Sequence, residues 1–340
     1  MTAGRLFSLG FFLQSGIWHL ASGMAGPAAL AAEPAAECRA LIVAGDPGTE
    51  RRSAARFADW TSRWVTLLKD TYGFKPANIR VLRNLGTLEK VAPAGQRADL
   101  GTPFGDFATH KSVLDAFAGL VRESKPEDQT VLVLIGHGYD SQGIGKFCLA
   151  GKDLSDVEAG QALSGLRARE FICFQTATAS QTWAKALGRS GRAIVVATGM
   201  PGMRSQTYFC EFLLRALRPG NVSLLDAFNR ASLNTVRWYQ NQFVRGDVTT
   251  VHGKEFQEIW KAMYPDRQME PGSAAPQEPV NDPERKEEWL GRRVIPEVAG
   301  LDDNGDGVPS TILDEEGKAT PLPSKSGDGA LARKIVLGKP

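Results

Sequence analysis

The sequence predicts a doubly wound α/β domain: a mainly parallel, six-stranded sheet with helices on both faces, followed by an irregular C-terminal extension. Three observations carry this expectation. Short, nearly continuous apolar runs recur, the pattern of strands buried on both faces. Stretches with apolar residues at helical spacing separate them, so strands and helices alternate as in parallel sheets. Right-handed crossovers between successive parallel strands then distribute the helices over both faces.

Residues 39–44 (RALIVA) form the first strand and end in Gly45-Asp46-Pro47-Gly48, a turn sequence. Residues 51–72 place Phe57, Trp60, Trp64, Leu67, Leu68 and Thr71 on one helical stripe, and Gly73 stops it. A short strand follows at 79–82. Residues 84–108 are rich in Gly, Pro and polar residues and read as a loop. Thr109 caps a helix whose buried face carries Val113, Ala116, Phe117 and Leu120. The central strand is 130–135 (TVLVLI). Ser155 and Glu158 form a capping box that opens a helix to about Leu163. Strand 170–174, helix 181–187, strand 192–197 and helix 208–217 follow in turn. Ser223 and Asp226 start a last helix that runs to about Gln240. These runs account for five of the six strands.

A chain of 340 residues has ample length for a large core. At 42% hydrophobic and 23% charged residues it has the composition of an ordinary globular protein. A net charge of +2, with no dense basic run interleaved with aromatics, argues against nucleic acid as a partner. Residues 1–31 read as a cleaved export signal. Arg5 is the lone charge, residues 6–13 (LFSLGFFL) are the apolar segment, and Ala29-Leu30-Ala31 fits a small-x-small cleavage site. Gln14, Ser15, His19 and Ser22 interrupt the apolar run too often for a spanning helix. The mature protein is therefore expected in the periplasm or secreted, with no integral membrane span. The α/β domain is expected over 32–262. A linker or surface loop rich in Pro, Gly and charge follows at 263–283, and the extension at 284–340, poor in apolar residues, should wrap the domain. Four cysteines (Cys38, Cys148, Cys173, Cys210) are too few and scattered for a disulfide framework. One pairing stays open.

The candidate site lies over 129–180. The central strand stops at Gly136-His137-Gly138, and the next strand stops at Gln175-Thr176-Ala177-Thr178-Ala179-Ser180. Ligand crevices in such sheets lie beyond the carboxyl ends of the strands. If the two strands are neighbours, their ends stand about 5 Å apart and the loops meet. No G-x-G-x-x-G follows a strand, Gly145-Lys146 lacks the rest of a phosphate loop, and G-x-S-x-G is absent. These absences exclude the common nucleotide-binding and α/β-hydrolase readings.

An apolar strand ending in His-Gly, then a helix, then an apolar strand ending in a small-residue loop 39 residues after the His resembles the caspase–legumain fold of cysteine peptidases. Leu41-Ile42-Val43-Ala44-Gly45 is similar to the first legumain strand, and the match covers about residues 39–217. The resemblance implies His137 as base, with Gly138 beside it, and a nucleophile at the position of Thr176. In the family that position is a cysteine. A threonine hydroxyl is far less acidic than a thiol and needs a strong base. The acidic residue that legumain carries two positions earlier is Phe174 here. The chain also resembles bacterial exported proteins related to legumain, on Arg56-Phe57-Ala58-Asp59-Trp60, residues 134–138, Lys146-Phe147, residues 301–307 and residues 328–332. These share Thr/Ser-rich loops in place of the cysteine.

The expected function is thus that of a legumain-like pseudo-peptidase that binds a peptide or protein in the residual crevice and requires no cofactor. Two alternatives stay open: an active hydrolase using His137 with Thr176 or Ser180, and a structural subunit of an envelope complex. Arg204 is a weak candidate for binding an acidic group. A second motif, Asp302-Asp303-Asn304-Gly305-Asp306-Gly307, has oxygens at alternate positions followed by Gly, as in the first half of a calcium loop. Position 12 would be Leu313 rather than Glu; Asp314, Glu315 and Glu316 follow at once and could supply a carboxylate with a different loop length, which makes Asp302, Asn304, Asp306 and Asp314 the candidate ligands of a structural calcium ion. A polar turn held by side-chain-to-amide bonds is the competing reading.

Overall fold

The structure is a computed structural model that describes residues 36–48, 51–84, 107–199, 207–245, 297–313, 319–325 and 327–340. The expected export signal, the linker at 263–283, Arg204, Asp314 and most of the loop at 84–108 lie outside the described residues.

Five parallel strands form the centre of the sheet: β1 (Cys38–Ala44), β2 (Ile79–Arg83), β3 (Gln129–Ile135), β7 (Glu170–Gln175) and β8 (Arg192–Val196). Between β3 and β7 a separate three-stranded antiparallel sheet is inserted: β4 (Gly138–Ser141), β5 (Ile144–Phe147) and β6 (Leu154–Ser155). Two short antiparallel strands from the C-terminal segment, β9 (Gly300–Asp302) and β10 (Ser310–Thr311), extend the main sheet. Its order is β10-β9-β8-β7-β3-β1-β2, seven strands rather than the six expected. The sequence did not reveal β9 and β10 because three and two residues are too short to show a period. The small sheet was missed for the same reason, and because most of β4 and the start of β5 face solvent.

The helices are α1 (Arg51–Thr66), α2 (His110–Glu123), α3 (Asp156–Ala162), α4 (Thr182–Leu187), α5 (Phe209–Leu217) and α6 (Leu224–Arg245). The caps read from the sequence are made. The Thr109 hydroxyl accepts from the Ser112 amide, and Ser155 accepts from the Glu158 amide while Glu158 accepts from the Ser155 amide. Ser223 accepts from the Asp226 amide. At α5 the helix amides are instead met from far along the chain, where the buried Glu297 carboxylate accepts from Tyr208 and Phe209, each at 2.7 Å. An anion there also answers the positive end of the helix dipole.

Side-chain alternation divides the core into two layers. Ile42, Val133, Ile135, Ile172, Phe174 and Val195 point to one face, under α1, α5 and α6. Leu41, Val43, Leu132, Leu134, Cys173 and Ile194 point to the other, under α2, α3 and α4. Both faces of the parallel strands are therefore dry, which is why these strands read as continuous apolar runs.

The C-terminal segment is fastened by two buried carboxylates. Asp303 accepts from the amides of Gly329 (2.8 Å) and Ala332 (2.6 Å). Asp328 accepts from Asp303, Asn304 and Ser310. Beyond them Ile335 and Leu337 are buried in the α6-side layer. Replacing Asp303 by Ala leaves two buried amides without acceptors, each worth about 1–3 kcal/mol. Asp303→Ala should therefore lower unfolding free energy by about 3 kcal/mol in urea melts with an unchanged m-value.

Candidate functional site

Strand order reverses between β1 and β3, since β2 lies to one side of β1 while β3, β7 and β8 follow on the other. The carboxyl ends of β1 and β3 thus form a topological switch point, where crevices open in such sheets. Here that crevice is filled on one side. The Phe147 ring, fully buried, lies across Gly45 and Gly136, and a Cβ on either glycine would come within 2.9 Å of it. The Gly45 amide donates to the Ile135 carbonyl at 2.8 Å, tying the two strand ends together.

His137 emerges from β3 half-buried, with its ring edge-to-face with Phe57 of α1 at 5.1 Å between centroids. Its carbonyl accepts from the Cys148 amide at 3.0 Å. The ladder in which Gly138 opposes Phe147 thereby continues to a His137–Cys148 pair. The antiparallel register of β4 and β5 brings the Cys148 backbone there.

β3 and β7 are adjacent, with Leu134 opposite Gln175, so the two loops expected to meet do meet. Their contact runs through Thr178. Its hydroxyl donates to the Gly138 carbonyl (2.6 Å) and accepts from the Gly138 amide (2.9 Å). Gly138 must be glycine for this approach, because a Cβ would strike the carbonyls of Thr178 and Lys146. Thr178 was missed as a site residue, although glycines on both sides of His137 are the signal of a close backbone approach.

Thr176 is buried, and its hydroxyl donates to the Leu134 carbonyl at 2.8 Å, not to His137. Its own carbonyl accepts from the Thr207 hydroxyl. Beneath it stands the fully buried Cys210 thiol, 3.4 Å from the Trp64 indole nitrogen. Burial pushes this thiol up to about 12, against the opposing hydrogen bond from Trp64. Ser180 is also fully buried, with its amide donating to the Thr198 hydroxyl (2.7 Å) and its own hydroxyl accepting from the Thr198 amide (3.0 Å). Between the two ties Ala179 holds φ at 51°, a left-handed conformation uncommon outside glycine.

Cys148 is half-buried, and its thiol is pushed up to about 11, first by burial and then by the Asp153 and Asp46 carboxylates. Asp153 is itself held by the Leu149 amide (3.0 Å) and the Tyr139 hydroxyl (2.9 Å). All four cysteines are free.

At the acidic loop, Asp302 accepts from the Gly305 and Gly307 amides (2.8 and 2.9 Å). Asn304 accepts from Asp306, and Asp306 from Val308, each at 2.8 Å. Among the described residues no group of three or more His, Cys, Asp or Glu side chains converges on a point that could hold a metal ion. These are the bonds of a polar turn, and Asp314, the fourth candidate ligand, lies outside the described residues.

No family model and no curated protein matches the sequence. Protein GSU0716 from Geobacter sulfurreducens overlaps 58% of this chain and 89% of its own at 15% identity, with a TM-score of 0.37. The Drosophila initiator caspase Dronc overlaps 58% and 71% at 12% identity, with a TM-score of 0.35. Likenesses this distant carry no argument about activity. Among the described residues no helix is long and apolar enough to cross a membrane.

Two outcomes follow from the bonds above. Thr178→Val removes the hydroxyl that meets both Gly138 groups and should destabilise the protein by about 2 kcal/mol in urea melts, whereas Thr178→Ser should recover most of that. With its oxygens engaged by its own amides, the 302–308 loop should be indifferent to calcium. Melting temperatures in EDTA and in millimolar calcium should agree, whereas an occupied site would raise the second by several degrees.

Proposed function

We propose that the protein is an exported, legumain-related binding protein of the caspase–legumain group in which the peptidase crevice persists without covalent catalysis. One observation carries this reading: the two groups that acyl transfer would require are already engaged with main chain or its neighbours. A nucleophilic hydroxyl must donate to its base, and the Thr176 hydroxyl donates to the Leu134 carbonyl instead. A developing oxyanion needs open amides, and the Gly138 amide beside His137 is held by Thr178. Ser180, the other candidate nucleophile, is locked against Thr198.

The ligand is a peptide or protein segment received where His137, Phe57 and the β4 hairpin meet. Tyr139, an exposed aromatic side chain two residues after His137, adds an apolar surface on that hairpin. Export rests on the sequence of residues 1–31, and no nucleic acid is expected given the balanced charge.

The test is a comparison of binding with cleavage. A displayed peptide library panned against the mature protein should return a consensus that binds about tenfold more weakly to His137→Ala, equivalent to about 1.4 kcal/mol. The same peptides should remain intact by mass spectrometry after prolonged incubation. Turnover that His137→Ala abolishes would overturn the non-catalytic reading and favour the hydrolase.

A further inference from the structure

We propose that the surface formed by the start of β3, the start of α6 and the loop after β9 is a peptide-binding site whose resident ligand is the chain's own segment 319–340, held there reversibly. It lies at the other end of β3 from His137 and does not depend on the reading of that crevice.

Main-chain groups of the segment are met one after another by groups fixed elsewhere. The Asn229 side-chain amide of α6 donates to the Leu322 carbonyl (3.2 Å) and accepts from the Leu322 amide (2.8 Å). Asp303 accepts from the Gly329 and Ala332 amides. The first amides of α6, Leu224 and Leu225, donate to the Ile335 and Ala332 carbonyls, so the segment supplies acceptors that a helix start lacks. The Gln129 side-chain amide donates to the Val336 carbonyl (3.0 Å) and accepts from the Gly338 amide (2.7 Å). Among these bonds Ala332, Ile335 and Leu337 are buried in the α6-side core layer. Main-chain bonds for affinity, with pockets for side chains between them, are how proteins hold peptide ligands.

Gln129 is the informative residue. It is fully buried, and a buried amide is costly unless bonded. Apart from Glu170 (2.7 Å), its side chain bonds only to this segment. Gln129 and Asn229 each present a donor beside an acceptor, the pairing a strand edge would offer. The segment's own sequence is selected too. Gly329 and Gly338 hold φ at 106° and 76°, and a Cβ would strike the Pro323 and Tyr72 carbonyls respectively. Apart from the bridge of Ala319 to Leu313, the segment forms no strand or helix. It can therefore leave without breaking a sheet ladder. The competing account is an ordinary part of the fold that comes away only when the whole domain unfolds.

The test replaces residues 314–318 of the full chain with a protease recognition sequence and cuts there. A trace of fluorescein-labelled peptide of residues 319–340 is added. Its uptake, followed by anisotropy, is compared with the unfolding rate of the same protein extrapolated from urea to water. Expected is uptake well ahead of unfolding, saturating with cut chain and reversed by unlabelled peptide. Gly338→Ala in the peptide and Gln129→Leu in the protein should each weaken binding about tenfold. The Gly338→Ala peptide leaves the protein unaltered, so its loss reads binding alone. Uptake no faster than unfolding, a cut chain whose melting curve shows it unfolded, or uptake that both substitutions leave intact would overturn the proposal. The first two would make the segment an ordinary part of the fold, and the third an unspecific contact.

Discussion

Burial on both faces of the sheet constrains everything at its carboxyl ends. A strand end in such a sheet emerges into protein before it reaches water, so its polar groups need partners inside. The loop after β7 meets that demand with hydroxyls. Thr176 bonds back to β3, Thr178 across to Gly138, and Ser180 forward to Thr198 after β8. Each hydroxyl closes one gap between neighbouring strand ends. The run Thr-Ala-Thr-Ala-Ser is therefore a set of cross-ties spaced at alternate residues, with Ala177 and Ala179 filling the tight space between them.

This changes the meaning of the threonine at the position where relatives of the proposed group carry a nucleophile. A side chain that donates to a neighbouring strand's carbonyl stabilises the loop and cannot also transfer its proton to a base without breaking that bond. The substitution is then part of a consistent local chemistry, since its two polar neighbours in the same loop are engaged likewise. Consistency across a segment is stronger grounds for a structural role than any one side chain would be.

The main strands and helices were legible because their periods were long enough to see. Residues 130–135 and 170–174 read as doubly buried strands, and the stripe at Phe57, Trp60 and Trp64 read as a helix face; each is buried as expected. The caps at Thr109, Ser155 and Ser223 were legible because capping is local chemistry. What could not be read were contacts between remote segments. Glu297 meeting the α5 amides, and Asp303 and Asp328 fastening the last residues to β9 and the loop after it, depend on pairs separated by 18 to 89 positions. The acidic run was legible as a loop with oxygens at alternate positions. Whether those oxygens face an ion or their own amides is decided by backbone direction, which composition does not encode.

The site was legible in outline and misleading in detail. His137 and the neighbouring loops were placed correctly by strand order, yet the thiol nearest the histidine in the ladder is Cys148, which no motif flagged. Proximity alone does not make that pair a nucleophile and base. A reactive thiolate needs a positive neighbour, a helix N-terminus or solvation to lower its pKa. Cys148 has the reverse: it is half out of water and faces Asp153 and Asp46, whose charges resist a second negative centre. Asp153 in turn is fixed by Tyr139, whose hydroxyl is pushed up chiefly by that same bond, so the carboxylate's position is set by the hairpin itself. Near neutral pH the thiol stays protonated. The face around His137 therefore carries an aromatic edge from Phe57 and a thiol kept neutral by burial and by the Asp153 and Asp46 carboxylates.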